Sequence, residues 1–191
     1  MSARDPIVAA LLIRPATLDD APALCALRNH YIASSHATFD EHPLSIEAVE
    51  AWMLGFADTG RHRLLVAERD GRLAGFVCSQ PYRPHPAFRM TIETSIYVSS
   101  DQVGGGVGSR LYDALFAALA DEALHRVVVG IALPNEASVR LHRRHGFAEV
   151  GRFDEYAVKN GEFVSSVWMQ KDIGTQHSPP TGDPTPAAKP V

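Results

Sequence analysis

The segment from Thr91 to Leu133 limits the fold more than any other. A strand-like run, TIETSIYV, gives way to four glycines within positions 104 to 108. A helical pattern follows, with Leu111, Leu115 and Leu119 at intervals of four, and then the continuous apolar run RVVVGIAL. An apolar run without alternation reads as a strand buried on both faces. The helix joining it to the preceding strand makes the two parallel neighbours, because a parallel pair needs a long crossover connection. Glycine clusters enlarge the unfolded ensemble, so a group of them signals backbone that curls tightly or approaches something closely. At a helix start, where free N–H groups and the macrodipole converge, that something is expected to be an anion.

The rest of the chain builds around this unit. A short strand ends near Arg14, and Thr17 then opens a helix with Asp19 and Asp20 in its first turn and Leu24, Leu27 and Tyr31 at helical spacing. Ser45 caps a second helix carrying Val49, Trp52, Met53 and Phe56. RLLVAERD and LAGFVCSQPY, separated by DGR, read as an antiparallel hairpin. In the next strand Ile92, Ile96 and Val98 share one face, and Glu93, Ser95 and Tyr97 the other. NEASVRLHRRHGF reads as a short helix from Asn135 to a left-handed stop at Gly146, and two last strands meet at KNGE. The order βααβββαβαββ gives an α/β (α+β) chain, a mixed central β-sheet flanked by helices.

Composition excludes several classes. A 191-residue chain with 46% apolar and 21% charged residues has the makings of one globular domain. A net charge of −4 with interspersed signs leaves no basic footprint for nucleic acid. No apolar run is long enough to cross a bilayer, so no membrane partner is expected. Only Cys25 and Cys78 are present and no signal peptide is evident, which fits buried thiols and a cytoplasmic location. Residues 173–191, rich in proline and small polar residues, read as a disordered tail, and 1–11 as a flexible N-terminal segment.

Two familiar phosphate loops fail on QVGGGVGSR. A Walker loop requires a lysine that is missing between Gly104 and Ser109, and the dinucleotide fingerprint requires glycine where Ser109 stands. What survives is their shared physics, main-chain donors at the positive end of a helix.

IETSIYVSSDQVGGGVGSRLYDAL followed by GIALPNEASVRLHRRHGF resembles the GNAT superfamily of acetyl-CoA-dependent N-acetyltransferases. With IRPATLDDAPALCALRNHYI and PYRPHPAFRMTIETSIYV, it looks like the phosphinothricin and methionine sulfoximine acetyltransferase branch, over roughly residues 12 to 171. The resemblance implies a GNAT domain at 12–172 with a splay between strands 4 and 5. It implies acetyl-CoA as co-substrate, a small-molecule amine as acceptor, direct transfer without an acyl-enzyme, and a homodimer.

It also implies roles for particular residues. The pyrophosphate loop pattern [Q/R]-x-x-G-x-[G/A] falls on Val103, Gly106 and Gly108, so its first position departs from Gln or Arg. Gly104, Gly105, Val107 and Ser109 complete the cradle. Ile96, Tyr97 and Val98 line the pantetheine arm, with an N–H near Val98 aimed at the thioester oxygen, and Asn135 and Ser138 lie across the splay. Glu93 matches the glutamate of T-[VI]-E-x-S-x-Y-V and is expected to be the general base, its pKa raised by desolvation. His142 takes the place where relatives have tyrosine or histidine and is expected to be the general acid. Arg83 could pair bidentately with an acidic group on the acceptor, with Thr38, Phe39 and Phe88 as walls.

No metal is expected, since His142 and His145 lack a third ligand of suitable spacing. Arg140, Arg143 and Arg144 read as a solvated helix face. Two alternatives stay open: an acetyltransferase for a protein terminus, a lysine or a polyamine, and a non-catalytic CoA-binding sensor.

Overall fold

The structure is a computed structural model and describes residues 10–174. Most of the expected tail, and residues 1–9 of the expected N-terminal segment, lie outside the described residues. Strands are β1 (Leu12–Pro15), β2 (Leu64–Arg69), β3 (Arg72–Pro81), β4 (Thr91–Val98), β5 (Arg126–Leu133), β6 (Ala148–Lys159) and β7 (Glu162–Asp172). Helices are α1 (Ala21–Ser34), α2 (Ile46–Met53), α3 (Val107–Ala118) and α4 (Glu136–Arg144). Their order is the one read from the sequence.

The local signals act where they stand. The Thr17 N–H donates to the Asp20 carboxylate at 2.8 Å, closing a 3-10 turn that leads into α1. Ser45 accepts from the Ala48 N–H and starts α2. Asp70 and Gly71 both have positive φ, as the tight β2–β3 turn requires. Gly146, at φ 82°, stops α4.

The strands form one sheet in the order β1-β2-β3-β4-β5-β7-β6, with β4 and β5 the parallel pair. Period-two alternation divides the interior into two cores. On one face Ile92, Val127, Val129 and Met169 pack under Leu111, Tyr112, Leu115 and Leu119 of α3 and its end. On the other, Leu64, Val66, Phe76 and Cys78 pack against Leu24 of α1 and Val49 and Met53 of α2. Cys25 and Cys78 are free and buried. One boundary moves: Leu11, assigned above to the flexible segment, is 6% exposed and packs into the α3-side core.

The last hairpin docks by its second strand. Val164, Val167 and Met169 of β7 are buried, whereas β6 is exposed over nearly its whole length, so β7 pairs with β5 and β6 becomes the sheet edge. Among the described residues, no helix is long and apolar enough to cross a membrane.

Candidate active site

The parallel ladder between β4 and β5 is short. It joins Thr91 to Arg126, Ile92 to Val127 and Glu93 to Val128, and there the strands part, although β4 runs on to Val98 and β5 to Leu133. The Ser99 N–H donates to Ala74 O of β3. By strand alternation, the N–H groups of Ile96 and Val98 therefore turn away from β3, into the gap. Their β5 partners are missing, so they are free donors in a cleft.

That cleft holds a cavity of about 420 Å³ that passes through the plane of the sheet. Tyr31 and Ala37 line it from the α1 face, and Val107, Gly108, Ser138 and His142 from the α3 and α4 side. Ile96, Tyr97, Val98, Val103, Gly104, Gly106, Ser109 and Asn135 also line it, so the structure brings together nearly every expected cofactor-side residue.

The glycines serve different ends. Gly104 and Gly106 have φ of 85° and 77°, a region costly for other residues, and they turn the chain into α3. At Gly108 a Cβ would sit 2.9 Å from Leu141 Cδ2, so glycine here lets α3 lie close against α4. Gly105 differs from expectation. It does not line the cavity, and its N–H donates to Gln102 O at 3.1 Å, closing the turn instead of facing a ligand. The first amides of α3, those of Val107, Gly108 and Ser109, have no carbonyl one turn back and lie at the positive helix end. Val103 is 60% exposed. Gln102 beside it accepts a 2.6 Å hydrogen bond from Arg69 Nη1, and both residues border the cavity.

His142 is 1% exposed, and both ring nitrogens are engaged. Nδ1 donates to Ser138 O at 2.7 Å, which fixes the tautomer and leaves Nε2 to accept the Tyr112 O–H at 2.6 Å. Thr94 Oγ1 lies 3.2 Å from the Tyr112 oxygen and completes the chain. Burial pushes the His142 pKa down to about 4, the Ser138 carbonyl opposing this and His145 adding to it. Held in this way, the ring ties α4 to α3 at the cavity wall. The Asn135 side chain caps α4, accepting from the Ser138 N–H at 3.1 Å.

Glu93 stands at the last paired position before the strands part, half-buried, and its side chain shares the α1 face with Ser95 and Tyr97. Desolvation raises its pKa, with Arg83 nearby pulling the other way. It is not itself among the cavity-lining residues, nor are Thr38, Phe39, Arg83 and Phe88. Arg83 is exposed, with its guanidinium 5.0 Å above the Tyr82 ring. Phe88 meets Tyr82 edge-on, and Tyr82 meets Trp168. Val167 and Met169 face the α3 core, so Trp168 turns to the α1 face. There it lies so close over Gly130 that a Cβ on Gly130 would come within 3.0 Å of the ring. Thr38 Oγ1 donates to Asp40 at 3.0 Å, and Phe39 packs edge-on against Tyr156.

Sequence reasoning missed Tyr31, Tyr82, Thr94, Tyr112 and Trp168. For Tyr112 a signal existed: a tyrosine on the apolar stripe of a helix, once buried, needs a partner for its hydroxyl.

Residues 24–147 match the Acetyltransferase (GNAT) family model. The phosphinothricin N-acetyltransferase of Streptomyces coelicolor is 40% identical over 88% of this chain and 99% of its own length. The L-methionine sulfoximine/L-methionine sulfone acetyltransferase of Pseudomonas paraeruginosa is 32% identical over 88% and 98%. Among solved structures, yncA of Salmonella typhimurium, determined with its cofactor acetyl-CoA, superposes with a TM-score of 0.82 at 28% identity, covering 91% of this chain and 99% of that one. The chain belongs to the GNAT acetyltransferase family. It is an N-acetyltransferase, and its full-length relatives include enzymes named for phosphinothricin and methionine sulfoximine.

Proposed function

We propose that this enzyme transfers the acetyl group of acetyl-CoA directly to the primary amine of a small amino-acid-like compound of the phosphinothricin, methionine sulfoximine or methionine sulfone type. The observation that carries the reading is the cavity itself. It is lined from both faces of the sheet, by the glycine loop and α4 on the α3 side and by Tyr31, Ala37 and Tyr97 on the α1 side, where Glu93 stands just outside the lining.

The residues present fit the donor. Free amides of Val107, Gly108 and Ser109, beyond the left-handed turn at Gly104 and Gly106, would hold its diphosphate without any side chain from Val103. Acetyl-CoA supplies an activated acyl group when bound. The free N–H of Val98 would stabilise negative charge developing on the carbonyl oxygen. Glu93, with its raised pKa, would accept a proton from the amine directly or through a water. The proton for the departing sulfur would come from solvent, since His142 is neutral and committed. Arg83 would meet the acid group of the acceptor beside the Tyr82–Trp168 aromatic row. The reading includes a cytoplasmic location and a homodimer, the dimer supported by exposed Val150, Phe153, Tyr156, Val158 and Phe163 on the β6–β7 hairpin.

Thiol release measured over phosphinothricin, methionine sulfoximine, methionine sulfone, lysine peptides and polyamines tests the acceptor. Turnover with the first three and none with the others is expected. A preference for peptides or polyamines would overturn it, and binding of acetyl-CoA with no thiol release for any amine would mark a sensor.

A further inference from the structure

The turn between β6 and β7 is tied to the loop that follows α1. Among the described residues Lys159 is the buried lysine, 5% exposed, and no carboxylate lies within salt-bridge distance of it. Its Nζ donates instead to Ser35 O at 2.6 Å and to Thr38 O at 2.8 Å. Ser35 is the C-cap of α1, whose last turn carries no basic residue of its own. Lys159 thus brings a positive charge to the negative end of that helix from 124 residues away. A buried ammonium is tolerated only where its N–H groups are satisfied, so these carbonyls are held in place as firmly as they hold the lysine. The adjacent Asn160 N–H donates to Glu41 Oε1 at 2.6 Å, a second tie between the same segments.

The loop so held spans the open end of the splay on the α1 face. Just before it, the Tyr31 hydroxyl donates to Val98 O at 2.7 Å, on the β4 side. His36 Nε2 donates to Pro134 O at 2.9 Å, beyond the end of β5, and Ala37 between these points lines the cavity. Thr38 and Phe39 follow directly.

We propose that Lys159 is a positioning residue for the acceptor side. Acting through the carbonyls of Ser35 and Thr38, it sets where the loop of residues 36–39 stands, with Ala37 in the cavity wall, and thereby how well the amine substrate is held. This deepens the reading of the α1 face as the acceptor side, and rests on it.

The test is Lys159→Met, which keeps the aliphatic stem and removes the charge and both hydrogen bonds. With methionine sulfone as acceptor, its KM should rise by about tenfold while the KM for acetyl-CoA changes by less than about twofold. An unchanged acceptor KM, or an equal rise in both constants, would overturn the proposal. Should Lys159→Met fail to fold, Glu41→Ala loosens the same loop from an exposed position and should raise the acceptor KM alone, by about threefold. No change in that variant would count against the proposal. Amide exchange separates a failed proposal from a failed acceptor reading. If the wild type is inert towards methionine sulfone, the acceptor reading falls. The amides of residues 35–41 in Lys159→Met then decide the role of the lysine, exchanging about tenfold faster, with α3 unchanged, if it holds the loop. Equal exchange would refute it.

Discussion

At neutral pH the His142 ring is uncharged, lodged between Ser138 O and the Tyr112 hydroxyl. Its pKa of about 4 lies below the ordinary histidine value, so between those two pH values the unfolded chain binds a proton that the folded chain refuses. Stability from this group is complete above about pH 6.5 and falls as the pH drops towards 4. Denaturant unfolding at pH 7 and pH 4.5 should show His142→Gln losing less stability on acidification than the wild type, by roughly 2 to 3 kcal/mol. Identical pH slopes would mean the ring is not held neutral. Glu93 shifts upward, also through desolvation. If it is the base, Glu93→Gln should lower kcat by roughly two to four decades with acetyl-CoA binding retained. The acid limb of kcat/KM in the wild type should then lie above the usual carboxylate range, near 4.3. An unchanged rate removes Glu93 from the mechanism. Both residues could be picked out from the sequence by motif and residue type alone. The protonation of His142 depends first on its burial, which no local pattern contains.

The strand, glycine turn and helix from β4 to α3 form the element most legible beforehand. Alternation in β4, the crossover helix and the glycines are all local signals, and each agrees with the others. The close approach of α3 to α4 was not legible, because it needs Leu141 to lie over Gly108. Gly108→Ala should be mild, since the Leu141 methyl can shift. Gly108→Val should cost about 1 to 3 kcal/mol, measured by denaturant unfolding, because a branched side chain must push the helices apart. Equal stabilities would show slack between them. The order β5-β7-β6 was likewise closed to sequence reading: a hairpin can dock by either strand, and the choice follows from how much apolar surface each offers to β5.

For the molecule as a whole, the two cores place α3 and α4 on one face and α1 and α2 on the other, so the splay is the passage between two separately built walls. The exposed apolar row on β6 and β7 lies at the sheet edge. Light scattering should give about twice the 20.8 kDa chain mass, and Val158→Asp with Phe163→Asp should halve it. A monomeric wild type would refute the dimer. The account stands most directly on where the donor binds. Calorimetric titration of acetyl-CoA should show binding to the wild type and at least about tenfold weaker binding to Gly106→Val, which forces a β-branched residue to φ 77° at the start of α3. Equal affinities in a folded variant, or no uptake by the wild type, would contradict it.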